Sequence, residues 1–305
     1  MKTKFFALTV LFIVLINTVY SQTTTSSSLA DSLRKEGNLK GAIEEFRRWF
    51  DSNSSDKRFV FDYACALAQD RQKDSAFKYI YKAIALDTAV YILTDPDFLT
   101  IRDDKRWNDF EETLISMLKI KYKNYYKDIE LAKQLWKMRA IDQAYYKEIM
   151  LAQKKIGMYS TVEFAIWEFK KSLNETNLKN LEDIIETKGW PKISDVGENA
   201  AGGAFLIIQH SDYEKQKKYL PTIKALCEIK EANWESYALM YDRIQMNENK
   251  PQRYGSQVTF NNSTKSFELY QLEDESKVDE WRKEMGLIPL SEYLAIWGLK
   301  FVPKK

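Results

Sequence analysis

The stretch NAAGGAFLIIQHSD, residues 199–212, decides the fold of the C-terminal half of the chain. It begins with an asparagine, a residue type that starts helices, and its apolar residues recur at three- and four-residue steps. Gly202 and Gly203 have low helix propensity, and we interpret them as positions where a neighbouring helix comes close. We therefore expect a buried central helix that ends at Gln209, after which Asp212 caps an amphipathic helix.

Polar motifs and a hairpin signal follow this stretch. Asp242-Arg243 lies in a further amphipathic segment that begins at Asn233, and the loop QRYGSQ occupies residues 252–257. Apolar residues at alternating positions then flank Asn261-Asn262-Ser263, which predicts a β-hairpin. Short helices are expected over residues 278–285 and 289–297.

His210 is the only histidine of the chain. Its predicted place at a helix end, two residues before Asp212, suits a general base and the carboxylate that orients it. An imidazole that only caps the carbonyl groups of the helix explains the same position. The sequence leaves both interpretations open.

Two hypotheses of function use this polar set. As an enzyme, the chain would use His210 as a general base for hydrolysis, with the candidate catalytic residues His210, Asp212 and Asp242. As a binding protein, it would offer amides, an aromatic face and a guanidinium to a peptide, glycan or cell-wall ligand through Gln209, Arg243, Gln252, Tyr254 and Gln257. We favour binding, because motifs of nucleophile elbows, zinc proteases, phosphate loops and dinucleotide sites are missing.

No cofactor or metal site is expected. One histidine and two distant cysteines, Cys65 and Cys227, do not provide the ligand set of a zinc site. The two cysteines also lie in different predicted domains, so both are interpreted as buried apolar residues without a disulfide.

The N-terminal half carries an internal repeat. Ala42 and Ala76 are 34 residues apart, as are Phe46 and Ile80. Small and large apolar residues at this offset resemble tetratricopeptide (TPR) repeats, which are pairs of antiparallel helices. A degenerate third unit begins near Asp95-Pro96. The resemblance implies a module over residues 29–119 that docks on the rest of the chain and contacts a protein or peptide partner, or serves as a spacer.

Residues 120–305 are expected to form a second, predominantly helical domain. Apolar periodicity predicts one helix over residues 121–156. Asn177 is a candidate N-cap for a helix that ends at Gly189, where a left-handed residue is expected before Pro191.

The first 21 residues have the pattern of a signal peptide. Lys2 and Lys4 precede an apolar run, and Val19-Tyr20-Ser21 provides a small-residue cleavage site. A polar tether would then occupy residues 22–28. The chain is expected to be exported to the periplasm or the cell exterior, without stable membrane insertion after cleavage.

The charge balance argues against a nucleic-acid partner. The chain has 46 Lys and Arg against 44 Asp and Glu, and loss of Lys2 and Lys4 leaves 44 of each. Nucleic-acid binding needs a basic surface, which this balance does not indicate.

The C-terminal motifs together resemble a bacterial domain family of unknown function that occurs in secreted proteins. The resemblance is carried by Gln209-His210-x-Asp212, Asp242-Arg243 and Gln252-x-Tyr254-Gly255-x-Gln257. Ser256 stands where this loop more often has threonine, and the hydroxyl is kept. The family implies no reaction. The sequence therefore predicts a mostly α fold, with a repeat module followed by a helical domain that contains a small hairpin.

Overall fold

The computed structural model describes residues 29–52, 59–123, 126–261, 264, 266–296 and 298–301. Over these residues the chain is mostly helical with a small antiparallel hairpin, which confirms the predicted fold class. It divides into two compact units, here called the first unit (residues 29–183) and the second unit (residues 184–301). The predicted leader and tether lie outside the described residues.

The first unit opens with two helix pairs, which comprise α1 (Leu29–Lys35), α2 (Leu39–Ser52), α3 (Val60–Gln69) and α4 (Lys73–Leu86). α1 packs on α2, and α3 packs on α4. Ala42 and Phe46 of α2 are buried, and so are Ala76 and Ile80 of α4. The offset of 34 residues therefore corresponds to equivalent buried positions on the second helices of successive pairs.

Two 3₁₀ helices and a long helix follow, and these are η1 (Val90–Thr94), η2 (Pro96–Ile101) and α5 (Arg106–Tyr122). Asp95 caps η2, because its Oδ1 accepts a hydrogen bond from the Asp97 N–H at 2.8 Å. Phe98 and Trp107 are buried behind this turn. A short 3₁₀ turn thus stands before α5.

The first unit ends with α6 (Ile129–Gln143), α7 (Tyr146–Ile156) and most of α8 (Thr161–Lys188). The prediction of one helix over residues 121–156 is wrong. The helix α5 ends at Tyr122 and α6 begins at Ile129, and a second break follows at Tyr145, whose φ is 71°. The predicted cap at Asn177 is also wrong. α8 continues through Asn177, whose buried Nδ2 donates to the Met138 carbonyl at 2.9 Å.

The second unit is built on the predicted central helix. Its helices are α9 (Ile193–Val196), α10 (Glu198–Gln209), α11 (Tyr213–Glu228) and α12 (Trp234–Asn247). α10 packs against α9, α11 and α12, and nine of its residues are buried. Burial of each large aliphatic side chain contributes roughly 1.5–3 kcal/mol, so α10 is a main source of stability in this unit. Asp212 caps α11 as predicted, accepting from the Lys215 N–H at 2.9 Å.

The rest of the second unit contains β1 (Val258–Asn261), β2 (Ser266–Leu269), α13 (Val278–Glu284) and α14 (Leu290–Ala295). The strands pair antiparallel, with Phe260 opposite Phe267 and ring centroids 5.3 Å apart. This confirms the hairpin, while the turn residues Asn262 and Ser263 lie outside the described residues.

Among the residues that the structure describes, no helix combines the length and the apolar character needed to cross a membrane.

Candidate functional site

The carboxylate of Asp242 lies fully buried on α12 and binds the loop that follows. Its Oδ1 accepts hydrogen bonds from the backbone N–H groups of Arg253 at 2.8 Å and Tyr254 at 3.0 Å. Its Oδ2 accepts from the Ser256 N–H at 2.9 Å. Burial raises the pKa of Asp242, and the backbone hydrogen bonds act in the opposite direction. One side chain thereby fixes the backbone path of the loop from Arg253 to Ser256.

Gly255 allows the same loop to approach the C-terminal helices. Its φ is 66°, and a Cβ at this position would lie 2.7 Å from Leu290 Cδ1. A residue with a side chain would be strained here and would also displace Leu290. The loop backbone therefore approaches Leu290 closely at Gly255.

The two outer glutamines of the loop motif bind each other. Gln252 Nε2 donates to the Gln257 carbonyl at 2.9 Å, and Gln252 Oε1 accepts from the Gln257 N–H at 2.7 Å. The same Nε2 also donates to the Tyr270 carbonyl at 2.8 Å. The side-chain amide of Gln252 thus makes the same two hydrogen bonds to the Gln257 backbone that a neighbouring strand would make. These bonds close the loop, and the bond to Tyr270 attaches it to the chain after β2.

Arg243 links this loop to the end of α10. Its Nε donates to Gln257 Oε1 at 3.4 Å, and its NH1 donates to the Gln209 carbonyl at 2.9 Å. Gln216 Nε2 donates to the same carbonyl at 3.0 Å. The last carbonyls of a helix have no partner within the helix, so a buried cation at this place stabilises the end of α10.

The C-terminal helices complete the network. Arg282 NH1 donates to the Tyr254 carbonyl at 2.5 Å, and Arg282 Nε donates to the Ile288 carbonyl at 2.6 Å. The hydroxyl of Tyr293 donates to the Ser256 carbonyl at 2.8 Å. The loop is therefore held from α12 by a carboxylate and from α13 and α14 by a guanidinium and a phenol.

His210 and Asp212 lie at the corner between α10 and α11. The backbone N–H of His210 donates to the Leu206 carbonyl at 2.9 Å, and the residue is partly exposed. Asp212 Oδ1 is the acceptor that caps α11. Two of the three candidate catalytic residues, Asp212 and Asp242, therefore use their carboxylates to accept hydrogen bonds from backbone N–H groups.

The structure brings most of the predicted site residues into one network, and that network is closed. Six of them are at most 5% exposed, namely Gln209, Asp242, Arg243, Gln252, Tyr254 and Gln257. Most of their hydrogen bonds join them to one another and to the backbone, while the side-chain oxygen of Gln209 is buried without a hydrogen-bond partner among the residues that the structure describes. They hold the loop and do not line an open cleft. We call this set, together with Ser256 and Arg282, the loop network.

The outer face of α12 carries a row of partly exposed aromatic residues. Trp234, Tyr237 and Tyr241 follow one another at three- and four-residue steps, with ring centroids 5.6 Å and 6.0 Å apart. Arg253 emerges from the loop beside them, with its guanidinium 5.8 Å from the Tyr241 ring centre and 5.0 Å from that of Trp281. We call these five residues the aromatic row.

Arg253 is held at the edge of the row by a two-point ion pair. Its Nε and NH2 donate to the two carboxylate oxygens of Glu273 at 2.9 and 2.8 Å. The pairing raises the pKa of Arg253 and lowers that of Glu273. The backbone of Arg253 is bonded to Asp242, so the loop network determines where this ion pair stands.

Comparison with known proteins identifies the C-terminal part of the chain. The profile of a family of unknown function, DUF6624, matches residues 129–301, which is more than half of the chain. The chain belongs to the DUF6624 family. No curated protein and no solved structure matches it.

The DUF6624 match includes the loop network and the aromatic row. It begins at Ile129, so it also covers α6 and α7, which belong to the first unit. The helix pairs before α6 lie outside the match, and no tetratricopeptide family is matched. The predicted boundary at residue 119 stays a prediction.

The residues of the row were not candidates from the sequence. The spacing of Trp234, Tyr237 and Tyr241 is visible there, but it has the same period as a buried face. Arg253 lies in the loop after α12 and Trp281 lies on α13, so the folded loop and α13 bring these two residues beside the rings of α12. No sequence pattern predicts that Arg253 and Trp281 lie beside the rings of α12.

One cluster in the first unit has the atom types of a metal site. One ligand atom each of Cys65, Asp95 and Asp97 lies within 4.8 Å of the others. The carboxylate of Asp97 is, however, ion-paired with Arg34 at 3.0 Å and Lys147 at 2.8 Å. A metal cation would meet two protein cations here, so we interpret the cluster as an ion-pair network.

An open groove of about 410 Å³ also lies on the first unit. Its lining is almost wholly apolar and consists of Tyr145, Thr161, Val162, Ala165, Ile166 and Phe169. It offers few groups that could orient a polar ligand, so the aromatic row remains the candidate site of the DUF6624 domain.

Proposed function

We propose that this protein is an exported binding protein whose DUF6624 domain takes a neutral saccharide on the aromatic row. The observation that carries the proposal is the partly exposed run of Trp234, Tyr237, Tyr241 and Trp281 around Arg253. Amphipathic rings that stay partly exposed are typical of binding surfaces. The C–H faces of pyranose rings pack on such rings, while their hydroxyl groups bind at the edge.

The charge of the row favours a neutral ligand. The guanidinium of Arg253 is already neutralised by Glu273 through two hydrogen bonds. An anionic ligand would have to break this pair, whereas a sugar hydroxyl can bind to either partner without separating them. The loop network then acts as the support that keeps Arg253 in place.

Export and the repeat module belong to the same proposal. The basic and apolar segment at residues 2–16 supports export, and a surface for glycans or cell-wall fragments suits that location. The equivalent burial of Ala42 and Phe46 on α2 and of Ala76 and Ile80 on α4 supports a TPR-like module that contacts a protein partner.

The proposal is tested by measuring ligand binding to the full chain. Wild type is screened by thermal shift and calorimetry against neutral oligosaccharides, muropeptides and unmodified peptides. Tyr237→Ala and Trp281→Ala are expected to weaken saccharide binding at least tenfold, because each removes a stacking ring. Trp190→Ala is the matched control, since Trp190 is a partly exposed tryptophan that contacts Tyr219 outside the row.

Each result has a distinct meaning. Saccharide binding that is lost in the row variants and kept in Trp190→Ala supports the proposal. Binding of peptides alone, with the same sensitivity, would keep the row and reject the saccharide. No binding by any probe, or binding unchanged by both row substitutions, would reject the row as the site.

A further inference from the structure

An acidic face runs across the helix pairs of the first unit. It consists of Glu36 after α1, Asp62 on α3 and Asp97 on η2. Arg34 connects two of these residues, because its NH1 donates to Asp97 Oδ2 at 3.0 Å and its NH2 donates to Asp62 Oδ1 at 3.3 Å. Gln69 also donates to Asp97, at 2.9 Å.

The helix α7 contacts this face through a stripe of basic and apolar side chains. The stripe consists of Lys147, Leu151 and Lys154, which share one side of a helix at steps of four and three residues. Seven residues of helix rise by roughly 10 Å, so the stripe has three separate contact points.

The contact points of the stripe match the acidic face in order. Lys147 Nζ donates to both oxygens of Asp97, at 3.0 and 2.8 Å. Leu151 lies directly over Gly37, where a Cβ would come within 2.6 Å of Leu151 Cδ2. Lys154 Nζ is 3.9 Å from Glu36 Oε1.

We propose that the acidic face is a binding groove for an amphipathic helix, and that α7 fills it as an internal ligand. The partner that the groove fits is a basic helix with lysine, leucine and lysine at the spacing of Lys147, Leu151 and Lys154. This inference builds on the proposed protein-binding role of the repeat module and names its surface and the chemistry of its partner.

The covalent link makes α7 a strong competitor. A segment tethered beside its site acts at an effective concentration in the millimolar range, so a free helix gains access only when α7 is weakened. The groove therefore binds a partner in trans to the extent that α7 is released.

The test uses the full chain and a fluorescent peptide with the sequence of residues 146–156. Leu151→Asp places a charge over Gly37 and is expected to release α7. Met150→Asp is the matched control, because Met150 is the neighbouring residue and is 60% exposed. By fluorescence anisotropy, Leu151→Asp should bind the peptide at least tenfold more tightly than either wild type or Met150→Asp.

A second substitution locates the binding face. Asp97→Asn, added to Leu151→Asp, should weaken peptide binding at least fivefold. Peptide binding that is insensitive to Asp97→Asn would reject the acidic face, while the general protein-binding role of the repeat module would stand.

Hydrogen exchange distinguishes release from unfolding. The proposal predicts that Leu151→Asp loses protection in α7 and keeps it in α1 to α5. It is overturned if the released chain binds the peptide no better than Met150→Asp. It is equally overturned if α1 to α5 lose protection together with α7, because α7 would then be part of the core.

Discussion

Two buried carboxylates are stabilised in different ways in the two units. Asp242 in the second unit accepts hydrogen bonds from three backbone N–H groups of one loop. Asp97 in the first unit is paired with the side chains of Arg34, Lys147 and Gln69. Backbone donors cannot move away without reshaping the loop, whereas side-chain cations can turn toward water.

The difference explains what each carboxylate does. The Asp242 contacts span at most 14 residues and define the shape of a loop. The Asp97 contacts connect residues up to 63 positions apart and join separate helices. We therefore expect the first to tolerate almost no change, and the second to be adjustable and sensitive to salt.

The largest effect is expected for Asp242→Asn. The amide keeps one acceptor and turns an NH₂ group toward backbone donors, which leaves buried groups without partners. We expect a loss of about 3 kcal/mol or more in the free energy of unfolding, measured by urea denaturation. Asp212→Asn is the matched control and should change stability by less than about 0.5 kcal/mol, because asparagine caps a helix equally well. Equal effects would refute the contrast between a buried loop support and a surface cap.

A smaller effect is expected for Asp97→Asn. The substitution removes two ion pairs, but the Lys147 side chain is 58% exposed, so solvent already weakens that pair. The loss should be about 1–2 kcal/mol, and it should shrink in 1 M salt. The loss caused by Asp242→Asn should not depend on salt. A salt-dependent loss for Asp242→Asn together with a salt-independent loss for Asp97→Asn would contradict the comparison.

The neighbour of Asp97 predicts a pH dependence. Burial, and next the charge of Asp97, raise the pKa of Asp95 to about 6. The folded chain therefore binds this proton more tightly than the unfolded chain. The resulting stability is fully present below about pH 4 and is lost as the pH rises to about 6. Wild type should lose on the order of 1 kcal/mol relative to Asp95→Asn over this range. Parallel stability curves for the two proteins would contradict this assignment.

The smallest effect is expected within the loop itself. The Ser256 hydroxyl accepts a hydrogen bond from Gln257 Nε2 at 2.9 Å. Ser256→Ala should cost about 1 kcal/mol in the free energy of unfolding, since the hydrogen bonds of the hydroxyl with Gln257 and with the Asp242 carboxylate are lost and the backbone bonds to Asp242 remain. A loss as large as that of Asp242→Asn would show that the hydroxyl, and not the carboxylate, organises the loop.

Much of the fold could be predicted because local signals agree with it. The central helix α10, the cap at Asp212 and the hairpin follow from apolar period, capping and turn residues. The errors occur where tertiary contacts override such signals. The sequence suggests a helix cap at Asn177. In the structure Asn177 lies inside the unbroken helix α8, and its side-chain amide donates to a carbonyl of α6. The break at Tyr145 lacks the glycine or proline that would announce it.

The aromatic row was not predicted from the sequence, and most residues of the loop network were named without their burial. The motif residues gather around the loop at residues 252–257, where they are buried and bind each other. This outcome depends on Arg243 and Arg282, whose partners are 34 and 28 residues away along the chain. Polar motif residues look alike in a sequence whether they face a ligand or the backbone of their own loop.

The central claim is that the loop network supports the site and the aromatic row binds the ligand. The most direct measurement is a calorimetric titration of wild type, His210→Ala and Tyr237→Ala with the tightest saccharide of the screen. The account predicts at least tenfold weaker binding for Tyr237→Ala and wild-type affinity for His210→Ala. Lost affinity in His210→Ala with unchanged affinity in Tyr237→Ala would contradict it.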